Sequence, residues 1–157
     1  MVVSTVLLVI IGVTTTCATL QNVAQGKSAY MSSNYYKWPA SKAVDGNTNN
    51  NMNGDSCFHT NTAATNWWYV DLGQNYQVSL IEVFNRKDCC ADRSKNIAAL
   101  VGTSLNNLEQ VKYWADPLWD YESVVFHPLA KTVRYVKFVQ TANTYFHLCE
   151  VKVYARV

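Results

Sequence analysis

Charge is scarce in this chain. Only 15% of its 157 residues are charged, 13 basic against 11 acidic, for a net charge of +2. The basic residues are scattered, and no Lys/Arg block is long enough to leave an electrostatic footprint. That excludes nucleic acid and an anionic membrane surface as evident partners. Long apolar runs are missing too. The longest, Val6 to Val13, falls short of the roughly 20 residues that span a bilayer, so no membrane insertion is expected. No internal repeat shows, and no linker divides the chain, which suits one domain. Catalytic signatures are absent as well. There is no Gly-x-Ser-x-Gly elbow and no His-Glu-x-x-His zinc motif. His59, His127 and His147 have no close ligand spacing. The sequence therefore reads as a binding protein, not an enzyme.

Hydrophobic residues make up 49% of the chain, ample for a core. The amino-terminal stretch stands apart, since no side chain before Lys27 is charged. Its apolar centre is followed by small residues, and Thr16-Cys17-Ala18 fits a small-x-small cleavage pattern. This is the pattern of a secretory signal peptide over residues 1–20, with cleavage between Ala18 and Gln21 and a secreted domain over 21–157. Cysteine counting agrees. Of five cysteines, Cys17 lies in the presequence, leaving Cys57, Cys89, Cys90 and Cys149. An even set in an oxidising compartment implies two disulfides. Four cysteines allow three connectivities, and spacing does not choose among them.

The rest is rich in strand patterns. Val78–Phe84 and Arg134–Gln140 are β-branched and apolar runs, and Trp67–Gly73 ends on a glycine turn signal. Leu148–Tyr154 alternates, with Cys149, Val151 and Val153 on one face and Glu150 and Lys152 on the other. Ile97–Leu105 is ambiguous between helix and strand. Several strands with polar connections predict an all-β antiparallel sandwich.

Two polar loops interrupt the strands, and function gathers in such loops. Residues 43–56 are dense in Asn, Asp and Gly, the residues of turns. The same oxygens suit Ca²⁺, which takes about 6–8 oxygen ligands. Asp45, Asn47 and Ser56 would supply some of them. A Cys57–Cys149 bridge would bring Glu150 beside Ser56 and add a second carboxylate. The second loop reads Asn-Arg-Lys-Asp-Cys-Cys-Ala-Asp-Arg-Ser-Lys over 85–95. Arg86, Asp88 and Arg93 with His59 form a donor and acceptor set suited to neutral polyols, meaning a sugar. Adjacent Cα atoms lie about 3.8 Å apart, against about 5.5–6 Å in ordinary disulfides. Geometry alone therefore favours separate partners for Cys89 and Cys90, such as Cys57 and Cys149, over a bond between them.

The order His59, 26 residues, Arg86-Lys87-Asp88, four residues, Arg93 resembles the motif of the F-type lectin (fucolectin) family. The likeness runs from about Asn22 to Val157. Asn22–Lys27 resembles the family's opening strand, and Ala43–Asn47 and Trp67–Gly73 resemble stretches shared with its discoidin-like relatives. Arg-Lys-Asp-Cys-Cys is the most specific part. The resemblance implies a discoidin-like jelly-roll β-sandwich with a structural Ca²⁺ and a shallow fucose pocket. It implies that Cys89 and Cys90 form a vicinal disulfide packing on the sugar, which leaves Cys57 with Cys149. His59, Arg86 and Arg93 fall on the sugar-contacting positions, and Asp88 would orient the arginines. Asp45, Asn47, Ser56, Glu150 and the carbonyl of Cys149 fall on the calcium positions. Lys42 stands where the family often has Asn, so only its carbonyl could serve. The fucose methyl needs an apolar wall, for which Tyr35, Tyr36, Trp38 and Phe58 are candidates. The expected partners are fucosylated glycans, met in innate defence or gamete contact. Weak single sites favour clustering, so oligomers are expected. The competing expectation is a discoidin-type adhesion domain that binds lipid or protein through loop apolars.

Overall fold

The computed structural model describes residues 18–157. Most of the expected presequence, 1–17, lies outside the described residues. The described residues form ten strands: β1 (Leu20–Asn22), β2 (Ser28–Met31), β3 (Phe58–His59), β4 (Asn66–Phe84), β5 (Ile97–Ser104), β6 (Asn107–Trp114), β7 (Tyr121–Val125), β8 (Lys131–Gln140), β9 (His147–Leu148) and β10 (Glu150–Arg156). Every strand pairing is antiparallel.

β4 organises the fold. The two runs expected as separate strands, 67–73 and 78–84, are one strand of 19 residues. Its first half pairs with β2 and β8, and its second half pairs with β10 and β7. β8 stays paired as far as Val78, while β2 pairing stops where the register shifts between Asp71 and Tyr76. There Gly73 has φ of 87° and its N–H donates to the Asp71 carboxylate at 2.8 Å. Only glycine takes that backbone angle without strain, so the expected turn residue bends the strand instead of ending it. The result is two strand sets, β2–β4–β8–β5–β6 and β7–β4–β10–β1, joined through β4. This is the expected jelly-roll sandwich. The ambiguous segment after Ile97 is strand, with Ile97, Ala99 and Val101 turned inward.

Alternation builds the core. Trp68, Val70 and Leu72 of β4, Phe138 of β8, and Val151 and Val153 of β10 are fully buried. Phe58 stacks on Trp68 with ring centres 5.9 Å apart. The Trp68 indole N–H donates to the Ala40 carbonyl at 2.9 Å, pinning the short 3₁₀ turn Ala40–Val44 to the sheet. The opening segment differs from expectation. The strand ends at Asn22, and the chain turns through Gly26, whose φ is 70° and whose N–H bonds to the Val44 carbonyl. Thr19 and Leu20 sit against Val157 and Arg156 of the closing strand.

Candidate functional site

His59, Arg86, Cys89, Cys90 and Arg93 meet in one pocket. Tyr35, Trp38, Met52, Asn53 and Tyr145 complete its lining, and its volume is about 310 Å³. The lining comes from four separated loop segments and one short strand. His59 is positioned by β3, which pairs with β9 so that His59 faces His147. Its N–H bonds to the Trp38 carbonyl, and its own carbonyl takes the Tyr35 N–H. The segment carrying Tyr35 and Trp38 is thereby strung along β3.

His59 is only 4% exposed. Its Nδ1 lies 2.8 Å from the Thr60 carbonyl. A carbonyl can only accept, so Nδ1 carries the proton, and Nε2 is left as a free acceptor. Burial, then the Arg86 and Arg93 charges, hold the ring's pKa below the usual 6.5 against the Thr60 bond. His147 beneath it is fully buried and pushed down to about 3, chiefly by burial and then by His59, Arg86 and Arg93. Both rings are neutral near pH 7.

The two arginines are held differently. Arg86 grips Asp88 in a fork, Nε to Oδ1 at 3.0 Å and Nη2 to Oδ2 at 2.8 Å. Both side chains are only 14% exposed. Bonding to Arg86, more than any other cause, holds the Asp88 carboxyl below its ordinary range. Asp88 also accepts the Met52 N–H at 2.9 Å. It does not line the pocket; it orients Arg86 and ties that arginine to the 43–56 loop. Arg93 has no such carboxylate. Its guanidinium lies over the Tyr145 ring, 5.1 Å from the centre, a cation–π arrangement.

Cys89 and Cys90 are bonded to each other, and Cys57 is bonded to Cys149. The pairing that local geometry disfavoured is the one present. Cys90 takes the left-handed conformation, with φ of 61°, and heads a 3₁₀ turn over Ala91–Arg93. A compact apolar patch thus sits among polar groups. Of the proposed apolar walls, Phe58 is excluded by its place in the core. Tyr36 is 81% exposed and outside the pocket. Tyr35 and Trp38 remain, their rings stacked at 5.9 Å. Tyr145 joins them edge-on to Tyr35 at 5.4 Å. Tyr145 was not legible in the sequence. It neighbours the core residue Phe146, and nothing in Asn143–His147 says which aromatic ring turns outward.

The Asn-rich loop serves its own backbone first. Asp45 accepts the Asn47 N–H, Asn47 accepts from Asn49, Asn49 from Asn51, and Asn51 from Asn53, all at 2.9–3.1 Å. Four successive Asx turns explain the composition. The expected cation donors still converge in part. Glu150 is fully buried, and the Gly46 N–H reaches its two oxygens at 3.2 and 3.3 Å. Burial, then the nearby Asp45 charge, push its carboxyl up to about 7. Two carboxylates crowded in this way fit a divalent cation between them. Ser56 donates to the Asn51 carbonyl at 3.0 Å, leaving its oxygen lone pairs free. The Asn47 side-chain oxygen is already engaged by Asn49. The Lys42 ammonium binds Asp55 at 2.7 Å and lies 4.0 Å from Asp45. No group of three His, Cys, Asp or Glu side chains converges among the described residues, so neutral oxygens would complete any cation shell.

Comparison with known proteins places this geometry. Residues 42–138 match the family profile described as F5/F8 type C, NedA-like, galactose-binding domain. Fucolectin-6 of Anguilla japonica is 34% identical over 143 residues, 86% of this chain and 76% of that protein. The lectin domain of lectinolysin, solved in complex with Lewis b antigen, superposes with a TM-score of 0.80 at 33% identity, covering 87% of this chain and 98% of that one. The fucolectin from Morone saxatilis (striped bass) serum also gives 0.80, at 30% identity over 87% of this chain and 49% of its own.

Proposed function

This chain belongs to the fucolectin (F-type lectin) family, and from that membership we propose a secreted, calcium-stabilised lectin that binds glycans bearing α-L-fucose. Its relatives are lectins and binding modules, and the chain is a binding domain, not an enzyme. The observation that carries the reading is one pocket joining His59, Arg86, Arg93 and the Cys89–Cys90 ring. The arginines donate, and neutral His59 accepts through Nε2. An axial 4-hydroxyl can meet both demands by accepting from arginine and donating to His59. The other arginine donors suit the 3-hydroxyl and the ring oxygen. An equatorial 4-hydroxyl would leave half-buried donors unpaired, at about 1–3 kcal/mol. The disulfide ring offers a flat face to the apolar side of the sugar. Tyr35, Trp38 and Tyr145 offer the wall for its C6 methyl.

For the cation, Asp45 and Glu150 would supply charge. Ser56, Asn47 and the carbonyls of Cys149 and Lys42 would supply neutral oxygens. When bound, Ca²⁺ would neutralise the two carboxylates and stiffen the loop. Met52 of that loop bonds Asp88, so order there reaches Arg86. The family's glycan chemistry fits recognition of fucosylated surfaces in innate defence, with clustered copies supplying avidity.

Titration calorimetry tests the reading. L-fucose should bind, and L-galactose, which replaces the methyl with a hydroxymethyl group, should bind more weakly. Chelation should lower both the melting temperature and the affinity. A glycan array on which no fucoside is bound would overturn the proposal.

The pH dependence has a definite sign. Binding needs neutral His59, and its pKa lies below 6.5. Affinity should stay level from pH 8 down to 6.5 and fall as pH drops through the depressed value. Protonation would remove the acceptor and add a third cation beside two arginines. The unfolded chain takes up this proton first, so stability also falls below pH 6.5. Affinity that held constant to pH 4 would contradict the assigned role of His59.

A further inference from the structure

Beneath the pocket lies a layer of polar side chains that touch no solvent. Asn85, Ser94, Gln140 and His147 are each at most 1% exposed. Buried polar groups cost stability unless hydrogen-bonded, so their partners show what they hold. Asn85 and Ser94 flank the segment 86–93, which carries both arginines and the disulfide ring. Ser94 Oγ donates to Asn85 Oδ1 at 2.8 Å, closing that segment at its base. Asn85 Nδ2 donates to the carbonyls of Ala91 and Leu118. The Leu118 N–H returns to the Ser94 carbonyl at 2.9 Å. Gln140, at the end of β8, donates from Nε2 to the Arg93 carbonyl. Ser94 Oγ also contacts the Nδ1 and the carbonyl of His147, at 3.3 and 3.1 Å.

Above this layer the first part of the segment is tied sideways to the 43–56 loop, through the Met52 N–H on Asp88 and the Lys87 N–H on the Asn50 carbonyl, while the part over 89–93 is held mainly from beneath. Its regular structure is a single 3₁₀ turn, Ala91–Arg93, with no side-chain cap at its head. Its carbonyls at Ala91 and Arg93 bond to side chains from below. The side chains of Asn85, clasped by Ser94, and of Gln140 therefore set where the Arg93 backbone and the turn after the Cys89–Cys90 ring stand. Sites are accurate when such supporting groups are locked in place.

We infer that Asn85, Ser94 and Gln140 are positioning residues of the sugar pocket, fixing the 86–93 segment from beneath without touching the sugar. The inference rests on the fucose-pocket reading. It excludes the alternative in which these polar groups only stabilise the fold.

The test separates affinity from stability. Gln140→Met keeps length and removes the donor to Arg93, and Ser94→Ala removes the clasp. Val133→Ala, in the core at the far end of β8, is the stability control. L-fucose affinity is measured by calorimetry well below each melting temperature, where only folded protein is titrated. Gln140→Met and Ser94→Ala should weaken L-fucose binding about 5- to 20-fold, the scale of one lost buried hydrogen bond. Val133→Ala should lower the melting temperature while its Kd stays within about twofold, as expected of a remote cavity. If Ser94→Ala does not fold, Gln140→Met carries the test, because it removes one bond and leaves no cavity. Unchanged Kd in folded Gln140→Met would overturn the inference. Wild-type protein that binds no fucoside would instead overturn the pocket reading on which it stands.

Discussion

Arg86→Ala should abolish measurable L-fucose binding while leaving a folded domain. In the proposed site the side chain supplies sugar-facing donors, and it neutralises Asp88, with both groups only 14% exposed. Truncation removes charge-assisted bonds and strands a half-buried carboxylate, together about 2–4 kcal/mol or more than about 30-fold in Kd. A monosaccharide affinity that starts weak then leaves the measurable range. Arg86→Lys should rescue little, because the fork to Asp88 needs two parallel donors that an ammonium does not have. Asp88→Asn should fall between the two, since it keeps one acceptor for Arg86 and loses the charge. Calorimetry against L-fucose, with circular dichroism for the fold, decides the matter. Near wild-type affinity in folded Arg86→Ala would remove this residue from the sugar site.

The two disulfides should separate stability from affinity. Cys57 and Cys149 are 92 positions apart. In the chain-entropy account, a cross-link of that span stabilises by about 4–5 kcal/mol. It also joins the residue after the Asn-rich loop to the residue before Glu150, so its loss loosens the tie between that loop and the strand carrying Glu150. Replacing both cysteines with serine should lower the melting temperature by about 15 °C for a domain of this size. The Cys89–Cys90 bond closes no loop beyond its own ring, so it has almost no chain entropy to restrain. Serine at both positions should move the melting temperature only a few degrees and weaken L-fucose binding about tenfold, the scale of a lost apolar contact. Scanning calorimetry and titration calorimetry on the two double variants check this. The opposite pattern, with Cys89–Cys90 dominating stability, would show that its ring is a fold element and not a binding surface.

The constellation proposed as a sugar site was legible as a cluster because it is nearly local. Arg86, Asp88, Cys89, Cys90 and Arg93 occupy one segment, and their spacing resembles a family motif. Their partner His59 entered first as an acceptor suited to the same polyol chemistry, and the resemblance then gave its spacing a meaning. The missing half of the pocket was illegible for the same reason. Tyr145, Met52 and Asn53 lie in loops whose composition says only that they are loops, and the sandwich alone brings them to the rim. The Asn-rich loop shows the opposite limit. Its composition suggested cation ligands, yet much of its oxygen serves a run of Asx turns. Composition names the available oxygens, and the backbone decides which of them remain free.

Alternation and turn chemistry, both local properties, determined from sequence alone that this is an all-β domain with two polar loops. The residue types of those loops, with His59, Arg86 and Arg93, pointed to a binding site for a polyol. Other matters lay with tertiary structure. Residues 66–84 form one bent strand because pairing partners on both sides favour continuity at Gly73 over a turn. Glu150 is buried in spite of its place on the polar face of an alternating strand, because the strand begins where the 43–56 loop covers it. Asn85, Ser94 and Gln140, scattered and ordinary in sequence, become one supporting layer because the carboxyl ends of β4 and β8, which do not pair with each other, both reach the underside of the 86–93 segment. The Cys89–Cys90 bond is the sharpest case. Distance along the backbone argued against it, and the fold set Cys57 and Cys149 opposite each other beside paired strands, which leaves Cys89 and Cys90, among the described cysteines, to each other.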